Sequence, residues 1–128
     1  MKRVLLDTHV LLWWLSDSSE LGIRAREIIS DSKNQVYVSS ASTWEISIKR
    51  SLGKLKAPDD MSRVIEEEGF TPLSITPYHG DQAGQLPNLH RDPFDRMLIA
   101  QAQAEGLVLI THDELVTQYP VRVLMAKR

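Results

Sequence analysis

The chain has 128 residues, of which 42% are hydrophobic; it has no cysteine, and its formal charge is −2 at pH 7. The absence of cysteine excludes disulfides, thiol nucleophiles and thiolate zinc sites, and it is compatible with a cytoplasmic location. The negative charge excludes nucleic-acid binding by bulk charge, so such binding would need a local basic patch. No linker-like stretch, repeat or membrane-length apolar run is present, so we expect a single domain over residues 1–128 and no membrane contact.

The first half of the chain alternates apolar runs with helical patterns. Residues 3–6 (RVLL) are typical of a parallel strand buried on both faces, and residues 35–40 (QVYVSS) form a second, β-branched run. Between them, residues 20–30 place apolar side chains at helical spacing. These patterns predict two strands with helical structure between them.

The segment after the second strand has the signals of a helix start. Ser40 or Ser42 can cap the helix, and Glu45 stands three residues after Ser42, where a capping-box partner would lie. Apolar residues four apart share one face of this helix: Trp44, Ile48 and Leu52.

The second half continues the alternation. We expect helices over residues 58–69, 76–87 and 92–106, and strands near 70–75, 107–111 and 121–125. The helix over 92–106 is the clearest, because Asp92 can cap it, Pro93 suits its first position and Gly106 can end it. The alternation predicts an α/β domain with helices on both faces of a mainly parallel sheet, which gives three layers, α/β/α.

Five acidic residues map to one edge of this predicted sheet. Asp7 directly follows the first strand, and Asp113 lies two residues after the strand over 107–111. Glu45 is near the start of the helix after the second strand, and Asp92 and Asp95 begin the helix over 92–106. All of these positions lie at the carboxyl ends of the strands, where ligands bind in open α/β sheets.

Carboxylates gathered at close range predict a bound cation. They repel one another, so either a pKa rises or a cation neutralises the group. Oxygen ligands in this number suit Mg²⁺ or Mn²⁺. A metal held in this way can activate water and stabilise charge on a phosphate oxygen, which is the chemistry of phosphodiester hydrolysis.

Each acid also has a structural explanation. Asp92 can be only a helix cap, Asp95 can serve the helix dipole, and Glu45 can belong to a capping box. Asp113 can begin a turn. Asp7 is the hardest to explain in this way, because a strand end inside the fold is a costly place for a bare charge. The convergence of several segments favours a metal or phosphate site.

Three stretches of the sequence resemble PIN-domain ribonucleases, and specifically VapC-type toxins of toxin–antitoxin pairs. They are LLDTHVLLWWL, SSASTWEISIK and HRDPFDRMLIAQAQAEGLVLITHD. The third is the most specific, and the resemblance runs from about residue 3 to the last strand. It implies a PIN-like fold and a metal-dependent endoribonuclease that hydrolyses RNA with a metal-activated water.

The resemblance also implies roles for individual residues. The catalytic and metal-binding quartet would be Asp7, Glu45, Asp95 and Asp113, with Mg²⁺ or Mn²⁺ as the ion. Supporting positions around the quartet would be Thr8, Asp92 and Thr111. His9 and His112 adjoin these residues, and a histidine beside a site is more often a hydrogen-bonding neighbour than a proton donor.

Basic and aromatic residues suggest surfaces for partners. Given a nuclease, we expect RNA contacts from Arg91, Arg96, Lys49 and Arg50, although a basic helix end can also be simply solvated. Trp13 and Trp14 cannot both face the core, so we expect one of them to be buried and the other exposed. The resemblance implies a VapB-type antitoxin that covers the acidic pocket, and a homodimer.

The motifs of two other classes of protein do not match this sequence. Haloacid-dehalogenase-like phosphatases need an acid two residues after the first, where this chain has His9, and receiver domains need an acidic pair at the first strand end and a late lysine. The alternative that stays open is a non-catalytic RNA- or protein-binding module with a PIN-like fold.

Overall fold

The computed structural model describes residues 1–128 and contains five strands, six helices and one short 3₁₀ helix. The strands are β1 (Arg3–Leu6), β2 (Gln35–Ser39), β3 (Thr71–Leu73), β4 (Val108–Thr111) and β5 (Val123–Met125). The helices are α1 (Thr8–Leu15), α2 (Ile23–Ser30), α3 (Ser40–Ser51), α4 (Met61–Glu67), α5 (Pro77–Gln85) and α6 (Pro93–Glu105), with the 3₁₀ helix over Glu114–Gln118. No helix is both long and apolar enough to span a bilayer.

The five strands form one sheet in the order β3-β2-β1-β4-β5, and every neighbouring pair is parallel. The first strand therefore occupies the centre, where Leu5 stands opposite Tyr37 of β2 and Leu109 of β4. A parallel sheet needs cover on both faces, which explains the continuous apolar runs in β1 and β4. The predicted three-layer α/β/α architecture is confirmed.

Two apolar cores lie on the two faces of the sheet. One contains buried side chains of α1, α2 and α4 packed on Val4, Leu6 and Ile110. The other contains α6 and the 3₁₀ helix packed on Leu5 and Leu109, while α5 lies alongside α6. Because Leu5 is fully buried at the centre of the second core, truncation to Ala would cost about 2–5 kcal/mol.

The helix boundaries follow local capping chemistry, with one correction. Asp92 caps α6 by accepting hydrogen bonds from the Phe94 and Asp95 amides, and Gly106 ends it at φ 68°, as predicted. The cap of α3 is Ser39, which accepts from the Ala41 amide, so the prediction of Ser40 or Ser42 is wrong. The helix therefore starts earlier than expected, and its first turn contains no acidic residue.

An apolar stripe of α3 faces solvent. This helix buries Ala41, Ser42, Glu45 and Ile46, so the stripe that begins at Trp44 points outward. The Trp44 side chain is 61% exposed, and its ring packs edge-on against Phe94 with the centroids 5.3 Å apart.

Both indoles of α1 are half-buried, which corrects the expectation of one buried and one exposed tryptophan. Trp14 donates to Glu68, and Trp13 packs against the rings of His9 and His112. Each indole therefore lies at an edge of the core, where its ring is partly covered, and the N–H of Trp14 finds a polar partner.

Candidate metal centre

The carboxyl edge of the sheet gathers acidic side chains from four segments of the chain. Asp7 follows β1 directly, and Asp113 lies in the loop after β4, which is the neighbour of β1 in the sheet. Glu45 lies on α3 and Asp95 in the first turn of α6, and both helices start at this edge. The fold therefore brings the predicted quartet to one place.

Asp7 is only 2% exposed, and hydrogen bonds stabilise its negative charge. One carboxylate oxygen accepts from the Val10 amide at 2.8 Å, so Asp7 also caps α1. The other accepts from the Thr111 hydroxyl at 2.6 Å and from the His112 amide at 3.2 Å. The ring of His112 lies 3.1 Å from the same oxygen, and this hydrogen bond raises the pKa of His112 above its ordinary value. These bonds explain how the fold tolerates the buried carboxylate.

Glu45 is 4% exposed and forms a salt bridge with a lysine side chain. The Lys49 ammonium lies 2.6 Å from Glu45 Oε2, and this hydrogen bond raises the pKa of Lys49. Beside this pair, the Thr8 hydroxyl donates to Ser42 Oγ at 3.0 Å and joins α1 to α3. An RNA contact by Lys49 would have to compete with its bond to Glu45.

Asp95 and Asp113 share a neighbour that the sequence analysis did not single out. The Nε2 atom of His90 lies 3.0 Å from Asp95 Oδ2 and 2.7 Å from Asp113 Oδ2. Ligand-type atoms of these three residues all lie within 4.8 Å of one another. The signal was available in the motif HRDPFD, where His90 stands two residues before the cap of α6.

The two carboxyl groups differ in their ionisation. Burial, together with the charges of Asp92 and Asp7, raises the pKa of Asp95 from 3.8 to about 7. Burial alone would also raise the pKa of Asp113, but hydrogen bonds from the Leu115 amide and from His90 outweigh it and hold this pKa below its ordinary value. Asp95 is therefore the carboxylate whose charge the fold leaves least compensated.

These residues fit a hard divalent cation. The side chains offer carboxylate oxygens, which are the donors such ions take, and the cluster contains no thiolate or thioether. The pKa of Asp95 is raised because burial and the nearby charges of Asp92 and Asp7 outweigh the opposing effect of His90, so its negative charge is not fully compensated. A cation bound between the carboxylates would supply the missing counter-charge.

The three arginines predicted to contact RNA occupy different environments. Arg91 is exposed and lines a polar cavity of about 540 Å³ that His90 also borders. The guanidinium of Arg96 donates to the carbonyls of four residues: Ala83, Leu86, Pro87 and His90. Arg50 borders another cavity, which is also lined by Asp59 and Asp60. The Arg96 guanidinium is thus committed to these carbonyls, whereas Arg91 and Arg50 are exposed and stay in the proposed RNA surface.

The sequence matches the family model described as PIN domain over residues 4–120. This chain belongs to the PIN domain family. Among relatives of this PIN domain, Ribonuclease VapC22 of Mycobacterium tuberculosis is 28% identical over 116 residues, which is 88% of each chain. Ribonuclease VapC16 of the same organism is 36% identical over 58 residues, which is 42% of this chain and 41% of VapC16.

Solved structures share the fold. A chain of VapBC2 from Rickettsia felis, crystallised with a DNA fragment from its promoter, superposes with a TM-score of 0.72 at 16% identity, covering 95% of this chain and 97% of that one. A chain of DNA-bound VapBC from Salmonella typhimurium gives 0.68 at 20% identity, covering 97% and 98%. At these identities the likeness shows a common fold.

Proposed function

We propose that this PIN domain is a metal-dependent endoribonuclease and the toxin of a VapBC-type toxin–antitoxin pair. The observation that carries the proposal is the cluster of four carboxylates, Asp7, Glu45, Asp95 and Asp113, at the carboxyl edge of the sheet. The named ribonuclease relatives of M. tuberculosis support the activity. The structural likeness to chains of VapBC complexes supports the toxin role.

In the proposed mechanism, these carboxylates would bind Mg²⁺ or Mn²⁺, and Asp7 and Asp95 would bind the ion most directly. Such an ion, when bound, lowers the pKa of water and stabilises charge on a phosphate oxygen. Glu45 and Asp113 complete the negative pocket, with Lys49 offsetting part of the charge on Glu45. No side chain needs to attack the phosphate covalently.

The supporting residues hold the carboxylates in position. Thr111 and His112 bind one oxygen of Asp7, so this carboxylate cannot rotate freely. Thr8 fixes α1 against α3, and Asp92 fixes the first turn of α6, from which Asp95 projects. Orientation of this kind typically changes metal affinity or activity by about 10–100-fold.

RNA would approach past Arg91. This side chain is exposed, and the cavity it lines contains no hydrophobic residue, which suits a solvated phosphate backbone. The cavity also borders His90, whose ring contacts Asp95 and Asp113, so RNA bound there would lie next to the carboxylate cluster.

The antitoxin would cover an apolar cleft beside Asp7. This cleft, of about 380 Å³, lies between α1 and the segment 55–58, and its lining includes His9, Leu12, Trp13, Leu55 and Pro58. A partner segment with apolar side chains would fill it, and a basic side chain at the segment's end would complement the carboxylates.

Two copies of the chain would associate through the outward face of α3. Beside Trp44 lies an apolar pocket of about 190 Å³, lined by Ala41, Ile75, Pro93, Phe94 and Met97 as well as Trp44. An apolar cavity of about 150 Å³ accommodates benzene, so this pocket can take an aromatic side chain. A twofold contact between copies would place each Trp44 against the partner's pocket. No cationic residue lines the pocket, which argues against an RNA strand at this place.

The deciding experiment is cleavage of total RNA by the purified protein with Mg²⁺, with Mn²⁺ and with EDTA. Asp7→Asn is the test variant, and Asp81→Asn, an exposed acid on α5, is the matched control. We expect discrete fragments from wild type and the control only when metal is present, and at least a 100-fold loss for Asp7→Asn. RNA binding without metal-dependent cleavage would favour the non-catalytic module instead.

A further inference from the structure

His90 is a site residue to which the proposed function gives no part. It is 9% exposed and lies in the loop that leads into α6. Its Nε2 atom is within hydrogen-bond distance of Asp95 and Asp113, which come from two different segments. The ring is therefore the one group that joins α6 to the loop after β4 inside the carboxylate cluster.

The main chain of His90 is fixed from two sides. Its amide donates to the Tyr119 hydroxyl at 2.8 Å, and its carbonyl accepts from Arg96 at 3.2 Å. Tyr119 is 3% exposed, and its hydroxyl also donates to the Pro87 carbonyl at 2.7 Å. Tyr119 and Arg96 thus hold the loop so that the imidazole is in place without any ligand.

One more hydrogen bond sets the tautomer of the ring. The Asp92 amide donates to Nδ1 of His90 at 3.2 Å, so Nδ1 carries a lone pair and the proton of the neutral ring is on Nε2. That proton is directed at Asp113 Oδ2, with which Nε2 forms a hydrogen bond of 2.7 Å, while Asp95 Oδ2 lies 3.0 Å from the same nitrogen. Coordination of a metal by Nε2 would need the proton to move to Nδ1, where it would face the Asp92 N–H.

We propose that His90 is a positioning residue, which hydrogen-bonds Asp113 through its Nε2–H, holds this carboxylate beside Asp95, and does not coordinate the metal. Both residues are predicted ligands, so the ring would fix the distance between donors on two segments before the ion arrives. This inference deepens the proposed function and rests on its metal site.

The first test measures the tautomer directly. Two-bond ¹H–¹⁵N spectra of the metal-free protein, assigned with His90→Gln, separate the Nε2–H, Nδ1–H and doubly protonated forms of each ring. We expect Nε2–H for His90, and the same form after saturation with Mg²⁺. With Mn²⁺, we expect no ¹⁵N hyperfine coupling from His90 in pulsed EPR. Either of the other forms, or a nitrogen coupling that disappears in His90→Gln, would overturn the proposal.

The second test uses substitution. Gln places an N–H donor near the position of Nε2, whereas Ala removes it. We expect His90→Ala to weaken Mn²⁺ binding by about 10–100-fold and His90→Gln to stay within about threefold of wild type. Leu89→Ala, at an exposed position of the same loop, is the control and should bind Mn²⁺ like wild type.

Circular dichroism and thermal unfolding separate loss of the site from loss of the fold. If His90→Ala binds Mn²⁺ like wild type, or if a folded His90→Gln fails like His90→Ala, donation from Nε2 is not what matters. Both tests are done without RNA. An absence of ribonuclease activity would therefore contradict the proposed function alone, whereas a wrong tautomer would contradict only the role of His90.

Discussion

Asp95→Asn removes an ionisable group whose charged form the folded chain disfavours. Burial, with the charges of Asp92 and Asp7, raises the pKa of Asp95 from 3.8 to about 7. A carboxyl group with a raised folded-state pKa gives stability that is complete below the unfolded-state value and is lost as the pH rises through the folded-state value. Asparagine does not ionise, so the variant should not lose this stability.

The size of the effect follows from the two pKa values. Between about pH 5 and about pH 7, folded Asp95 is mostly protonated while the unfolded side chain is mostly ionised. Two pH units at about 1.4 kcal/mol per unit give about 3 kcal/mol. In EDTA, the free energy of unfolding of Asp95→Asn relative to wild type should therefore increase by about 3 kcal/mol from pH 5 to pH 8. Comparison at each pH cancels the contributions of the ionisable groups that do not interact with Asp95.

The assay is urea denaturation at several pH values in EDTA, with Asp81→Asn, an exposed acid, as the control. Adding Mn²⁺ at about 100 times its Kd should then stabilise wild type by about 2.7 kcal/mol, and the variant much less. A stability difference between wild type and Asp95→Asn that does not change with pH would refute the argument from like charges.

Two further predictions concern the surfaces. Arg91→Ala should raise the KM for RNA about tenfold and lower the slope of the salt dependence of RNA binding by about one, with Mn²⁺ affinity unchanged. The control is Lys33→Ala, because Lys33 is an exposed cation at the opposite edge of the sheet. Equal kinetics in the two variants would remove Arg91 from the RNA surface. Trp44→Glu should convert a dimer to a monomer in sedimentation equilibrium, because it would put a charge into an apolar contact. The control is Ile23→Glu, at another exposed apolar position. An unchanged mass for Trp44→Glu would rule out this interface.

The sequence predicted the parts of the fold that local signals control. Capping residues and helical spacing depend on neighbours a few positions away, which is why the prediction of α6 from Asp92 to Gly106 was confirmed. The prediction failed for the start of α3, because two adjacent serines and Ser42 offer similar capping side chains and only the backbone at Ser39 decides among them.

The acidic edge was also predictable from the sequence. Alternation of strands and helices places the ends of parallel strands at one edge of the sheet, so the convergence of Asp7, Glu45, Asp95 and Asp113 needed no knowledge of the strand order. Their use as metal ligands stays a prediction.

Only the tertiary structure decided which groups hold those carboxylates. Thr111 and Asp7 are 104 residues apart and meet because β1 and β4 are neighbours in the sheet. The sequence predicted strands without their order, so it could not pair these residues. The bonds of His90 and Arg96 likewise depend on a loop closed by Tyr119, and the exposure of Trp44 depends on which face of α3 meets the core. Spacing along the chain determines local structure and the edge that receives the acids, whereas contacts between distant segments arise only when the layers pack.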